Sequence, residues 1–291
     1  MLQVLVNGLV VGSQYALIGL GFALIYGVVR FFHFSHGAVY TVGAYAFYVS
    51  AGLLELPIVL AALAGLSIAA IAGVLIDRAC YRPLRRGGTD AKGLLLASLG
   101  LYVLIQNSIS LGFGDETKTV RGQKIAEGLD FLGAKITPIQ IGVLGTCIAL
   151  LALTAWILYR TQIGKEIRAV ASNPALARVV GIDANRVYSI TFAWGSVLAG
   201  VAAILVSFDT DIYPTMGFQA LLMSVVAVVI GGAGSLLGAV IGGLLVGITQ
   251  HFGAWAFGTQ WQDIFVFLIF IAFLIFRPYG LFGTKLRASR I

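Results

Sequence analysis

The sequence predicts an all-α, polytopic helical membrane protein with about eight membrane segments, two of them interrupted or re-entrant near 30–37 and 231–235. Three observations carry that expectation. Of the 291 residues, 59% are hydrophobic and only 11% charged, whereas a water-soluble domain carries about a quarter charged residues. Mean hydropathy is +0.97, and apolar runs of about 20 residues recur along the chain. The 37 glycines suit close helix packing rather than disorder. The basic excess is no nucleic-acid footprint, because no basic stripe with interleaved aromatics accompanies it. Cys80 and Cys147 fall in a basic loop and mid-span, which suggests neither a disulfide nor a metal pair. The whole chain, 1–291, reads as one transmembrane domain.

The first span runs from Leu2 to Val29. Its opening, MLQVLVNGLVVGS, lacks a positive n-region and a small-residue cleavage site, so it reads as membrane helix rather than a removed leader. Asn7 and Gln14, seven apart, share a face; polar groups at that depth should meet protein or water, by helix–helix hydrogen bonding or by contact with a transported molecule. A break follows at Arg30–Gly37, RFFHFSHG. Ser35 is a candidate N-cap for a second helix, small and aromatic (Tyr40, Gly43, Tyr45, Tyr48). His33 and His36 have no third ligand nearby, which makes polar anchors of the break a better reading than metal ligands. Pro57–Ile76 is the third span, and Asp77–Arg86 a compact basic loop. Gly93–Phe113 is the fourth. The hydrophilic loop 114–137 follows, with room for a small hairpin in DETKTVRGQK. Pro138–Leu158 is the fifth span and Val187–Ser207 the sixth. Phe218–Gln250 would be about 50 Å of continuous helix, too long for one span and too short for two. Gly231–Ser235 splits it, with Ser235 capping the second half. This echoes the first break, and paired interruptions point to a transport path. The last span is Gln262–Phe276, before a basic tail.

Between the fifth and sixth spans lies a charged island, Tyr159–Arg186. Asn173 can cap a helix, Pro174 suits its first position, and Gly181 offers the left-handed residue that ends it. Leu176, Val179 and Val180 share one face of the resulting rod, and Asp183 can cap the next span. The rod either rests on lipid head groups or docks a cytoplasmic partner. Placing this island, the 78–92 loop and the tail in the cytoplasm puts 15 of 19 basic residues inside and 8 of 12 acids outside, as the positive-inside rule requires. The N-terminus then lies outside, provided that the 30–36 break reaches the cytoplasmic face.

No P-loop, HExxH, GxSxG or paired intramembrane carboxylates appear. No buried Asp or Glu is expected mid-span, so ion coupling lacks a carrier and energy should come from another chain. The single Asn173-Pro174-Ala175 triplet, set among basic residues, does not make a water channel.

Four ordered stretches resemble the permease subunits of branched-chain amino-acid ABC importers: GLVVGSQYALIGLGFALIYGVVRFFHFSHGAVYTVGAY, GKEIRAVASNPALARVVGID, VIGGAGSLLGAVIGGLL and the closing FRPYGLFG. The resemblance covers nearly the whole chain. It implies a bacterial inner-membrane protein that is not itself an enzyme and holds no cofactor. Its partners would be a second, usually non-identical permease subunit, two cytoplasmic ATPase subunits and a periplasmic binding protein. Leucine, isoleucine or valine would be carried; the alternatives are a permease for urea or short amides in the same superfamily and a self-contained secondary carrier or channel. It implies ATPase-coupling roles for Glu166, Asn173, Pro174, Leu176, Arg178, Val179 and Gly181. Translocation-path candidates are Asn7, Gln14, His33, Ser35, His36, Tyr40, Gly232 and Ser235. The outer acidic turns (Asp209, Asp211 and the 114–137 loop) would dock the binding protein.

Overall fold

The computed structural model describes residues 1–120, 128–131 and 133–283. In chain order it contains α1 (Leu2–Val29), α2 (Ser35–Tyr48, prolonged by a π turn Val49–Leu53), α3 (Ile58–Arg86), α4 (Ala91–Phe113), β1 (Leu129–Phe131), β2 (Ala134–Ile136), α5 (Pro138–Arg160), α6 (Gln162–Ser172), α7 (Pro174–Val179), α8 (Ala184–Ser207), α9 (Met216–Gly231), α10 (Leu236–Phe257) and α11 (Gln262–Phe276). Seven helices among the described residues are long and apolar enough to cross a membrane, and α9 is a shorter apolar one. The protein is therefore a multi-pass helical membrane protein.

The helices form an inner set and an outer set. α1 lies at the centre: 83% of its apolar window is buried, against 22% for α3, α4 and α5 and 6% for the last span. Small residues make that centre possible. Gly8 and Gly12 of α1 face Gly243 and Gly247 of α10, two interlocking GxxxG pairs that bring the backbones together. A Cβ on Gly247 would fall 2.3 Å from the Gly12 nitrogen, and one on Gly243 2.6 Å from that of Ala16. α8 closes on α1 and α3 in the same way; a Cβ on Gly21 would meet the Gly195 carbonyl at 2.6 Å.

Successive helices run back and forth, so the loops segregate to two ends. Both breaks, the island and the described tail share one end. The Arg30 guanidinium donates to the Ala171 carbonyl at 3.0 Å, which ties the first break to the island. The amides of Leu281 and Phe282 donate to the carbonyls of Ile230 and Gly231 at 2.9 Å, which ties the tail to the second break. This is the basic end. At the opposite, acidic end, Lys118 bridges Ile212 across the loops. There Gln3 also joins Asn7 to the backbone of Lys135. The first break thus stands on the island's side, the condition on which the orientation above depends.

Several expectations are corrected. Residues 77–86 are not a loop: α3 continues through a π turn, Ile76–Tyr81, and a last helical turn, Arg82–Arg86. Asp77 is consequently a buried acid inside a helix, paired with Arg85 and accepting from the Ser189 hydroxyl at 2.8 Å. The pairing explains how the one acid of this segment is accommodated inside the helix, since its charge is matched by Arg85. The hairpin in the 114–137 loop is formed by 129–131 and 134–136, C-terminal to the DETKTVRGQK stretch, of which residues 121–124 lie outside the described residues. The tail residues Lys285, Arg287 and Arg290 also lie outside them.

Candidate functional site: the basic end

The island folds as two short helices rather than one. α6 begins on Thr161, whose hydroxyl accepts from the Gly164 amide at 3.1 Å. It buries Gly164, Ile167 and Val170, spaced three apart on one face, while Lys165 and Arg168 stay exposed and Glu166 is half-buried. α7 follows at once. Asn173 Oδ1 accepts from the amides of Ala175 and Leu176, both at 3.0 Å, and Pro174 occupies the first helical position. The rod is closed by a Schellman-type arrangement: the Ile182 amide reaches the Ala177 carbonyl and the Gly181 amide that of Arg178, each at 3.0 Å. Gly181 takes φ +87° there, a conformation that favours glycine. Asp183 then caps α8 by accepting from the Asn185 amide at 2.9 Å. The rod therefore has fixed ends and almost no slack to its neighbours.

One residue of the rod, Ala177, is buried. Leu176, Val179 and Val180 are 61%, 82% and 69% exposed. They form an exposed apolar patch at the basic end, beside the exposed Arg178. Behind the patch, α6 packs against α1, α5 and α8 through Leu24, Val28, Leu158 and Tyr188. The rod is thus joined to α6, and α6 to the end of α1 through Arg30. That arginine is itself in the left-handed region, φ 58°, where a long side chain is uncommon. It ends α1 abruptly while its guanidinium satisfies one of the carbonyls left open at the end of α6.

Above the island lies a cavity of about 750 Å³. Tyr26 comes to it from the end of α1, Arg30 from the first break, Tyr159 and Arg168 from the island, Ser235 from the second break and Tyr279 from the tail. Both interruptions thus border one space. Ser235 caps α10, accepting from the Gly238 amide at 3.0 Å. Gly232 (φ +107°) is covered by the tail, and a Cβ there would meet the Gly283 nitrogen at 2.4 Å. The tail's role as a lid on the second break was not read from the sequence. Its signal was there in FRPYGLFG, a turn-forming run of Pro, Gly and aromatic residues directly after an apolar span.

The other path candidates lie elsewhere. His33, Ser35 and His36 are fully buried inside the subunit and line no part of the cavity. Ser35 is not the N-cap of α2; Phe34 holds that position. The Ser35 hydroxyl instead donates to the Ser98 carbonyl at 2.7 Å and lies 3.0 Å from Tyr81 Oη. His33 Nδ1 lies 2.9 Å from the same phenol, and His36 Nε2 3.3 Å from the Ile18 carbonyl. They anchor the break to α3, α4 and α1. Among the described residues no group of three or more His, Cys, Asp or Glu is placed to hold a metal. Gln14 and Tyr40 are buried toward the middle of the inner set. Beside them the Tyr15 hydroxyl donates to Gln250 Oε1 at 2.9 Å, and Gln250 donates to Asp263 at 2.8 Å. Asn7 is half-buried at the acidic end.

Interrupted helices, a glycine-packed centre and a rigid island at the basic end define a membrane transport protein of the permease class. The comparison with known families gives the particular one. Residues 4–274 match the model described as "Branched-chain amino acid transport system / permease component", and the chain belongs to that family. It is 34% identical over 296 residues to the high-affinity branched-chain amino acid transport system permease protein BraD of Pseudomonas aeruginosa, covering 97% of this chain and 95% of that one. It is 35% identical over 298 residues, with the same coverage, to the permease protein LivH of Escherichia coli. Among solved structures it is similar to PsaBC from Streptococcus pneumoniae in complex with Fab, with a TM-score of 0.52 at 15% identity over 96% of this chain and 92% of that one, a likeness of fold.

Proposed function

We propose that this chain is the membrane-spanning permease subunit of a binding-protein-dependent importer in the bacterial inner membrane, moving branched-chain amino acids inward by ATP-driven alternating access. The observation that carries the reading is the rod: a capped, closely tied helix displaying Leu176, Val179 and Val180 away from the protein in a chain that aligns end to end with amino acid permeases. Its occupant is a groove on a cytoplasmic ATPase subunit, one of two. Glu166, Asn173, Pro174, Arg178 and Gly181 shape or flank that contact. Exposed apolar area of this kind costs about 25 cal/mol per Å² left in water, so covering it favours a docked partner.

ATP-driven closure of the ATPases moves the rod, α6 follows, and Arg30 passes the displacement to the end of α1 and the first break. The cavity between the two breaks then changes shape. A second permease subunit completes the path, which runs past the polar groups of the inner set and the breaks (Asn7, Gln14, Tyr40, Gly232 and Ser235, with His33, Ser35 and His36 holding the first break). A zwitterion with an apolar side chain meets mainly small residues there, so contacts are weak and most selectivity resides in the periplasmic binding protein that docks on the acidic end. The one buried acid of α3, Asp77, is neutralised by Arg85 and offers no free coupling charge to an autonomous carrier. The test is reconstitution of the chain with ATPase and binding-protein subunits in liposomes. Leucine uptake that requires all components and ATP supports the reading; uptake by this chain alone assigns it to secondary carriers.

A further inference from the structure

The basic ends of α3 and α8 part to leave a groove of about 320 Å³, separate from the cavity between the breaks. Deeper in the membrane the two helices are in contact, and a Cβ on Gly73 would meet the Ser196 hydroxyl. Beyond that point the residues facing the groove grade from apolar to cationic along both helices. On α3 they are Val74, Arg78 and Arg82, spaced by four; on the antiparallel α8 they run from Ala193 and Ile190 to Ser189 and Arg186. Three arginines therefore line one groove against a single carboxylate, Asp183, which also caps α8. The nearby Asp77 is taken up by Arg85 and Ser189. Among the described residues neither Arg78, Arg82 nor Arg186 forms an ion pair, and the enclosed Nε of Arg82 has no hydrogen-bond partner.

Like charges gathered at one site repel, and an enclosed guanidinium donor without a partner is costly. An anion in the groove removes both penalties. The groove mouth also lies at the N-terminal end of α8, whose dipole adds to the positive field there, although the Asn185 amide is already taken by Asp183. The apolar inner wall, formed by Val74, Ile190 and Ala193, lies on the membrane side of the arginines. A soluble ion would make no use of that wall, whereas an acyl chain continues along it. Basic pockets between membrane helices at a positively charged face are suited to lipid head groups.

We propose that the groove between α3 and α8 binds the phosphate head group of an anionic phospholipid, with Arg78, Arg82 and Arg186 as its ligands. The proposal does not depend on what the protein transports. It is tested on the purified full chain by native mass spectrometry and thermal-shift titration with phosphatidylglycerol, phosphatidylcholine and inorganic phosphate. Phosphatidylglycerol should bind and raise the melting temperature where phosphatidylcholine does not. Arg78→Gln, Arg82→Gln and Arg186→Gln should each weaken it about fivefold, and Arg86→Gln, which removes the same charge outside the groove, should leave it unchanged. Arg78 and Arg186 are exposed, so these two variants fold even if Arg82→Gln does not. Equal weakening by Arg86→Gln would reduce the effect to overall charge and overturn the proposal. Equal stabilisation by inorganic phosphate would assign the groove to a soluble anion. Lost ATPase co-purification with unchanged lipid binding would assign the arginines to a protein partner. Either of these outcomes also overturns it.

Discussion

Glycine plays opposite parts in the inner and outer helices. In α1 and α10, Gly12 and Gly247 sit backbone to backbone, with no room for a methyl group. In α4 and α5, Gly100, Gly112, Gly142 and Gly145 have nothing within 4 Å of where a Cβ would stand. Both sets occur in apolar helices, so hydropathy does not tell them apart. The buried helices are distinguished by small residues at four-residue spacing that face another backbone, beside polar groups such as Ser13 and Gln14 that are buried in the protein. The outer helices are more open, available to lipid or to a second subunit, and the polar groups of α4 such as Asn107 and Ser108 are exposed and turn back onto their own helix carbonyls. The rigid half of the molecule is thus the glycine-packed one, and the island is tied to it through Arg30.

Substitutions should separate the two sets of helices. Gly247→Leu forces α1 and α10 apart and should cost about 3 kcal/mol or more, read as loss of monodisperse protein or a sharply lowered melting temperature in detergent. Asp77→Ala leaves the half-buried Arg85 and the Ser189 hydroxyl without their shared acceptor, at a cost of about 2 kcal/mol, and the same melting assay should show it. Asn173→Ala removes the cap of α7 and should cost about 1 kcal/mol locally. Hydrogen exchange should rise in 173–181 while the melting temperature barely moves. Gly100→Ala should change stability by less than about 1 kcal/mol and tend to raise it, since alanine favours helix and meets no neighbour. If Gly100→Ala proved as damaging as Gly247→Leu, the inner–outer division would be wrong.

The sequence made the signals that act over one or two turns readable. Asn173, Gly181, Asp183 and Ser235 all cap the elements expected of them, and α1, α11 and the start of α5 have the expected bounds. Signals resting on tertiary pairing were not readable. DRACYRPLRR looks like a loop until Asp77 is seen to meet Arg85 and Ser189, and Ser35 looks like a cap until Tyr81 and Ser98 are brought beside it by α3 and α4. The seating of α1 on α10 depends on glycines more than 230 residues apart. α6 was the avoidable miss: Thr161 before Gly164, Ile167 and Val170 carries both a cap and a buried face. Of the candidate site, the rod was legible in full. The cavity that brings the two breaks together was not, because Arg30, Ser235 and Tyr279 share no local pattern.

The central claim is that the apolar face of the rod receives work from an ATPase. Its most direct test is ATP hydrolysis by the reconstituted assembly, with and without substrate-loaded binding protein, using Leu176→Asp. Leu176 is 61% exposed, so the variant should insert and melt like the parent while substrate-stimulated hydrolysis falls to the unstimulated rate. Full stimulation in a correctly folded Leu176→Asp assembly would contradict the account.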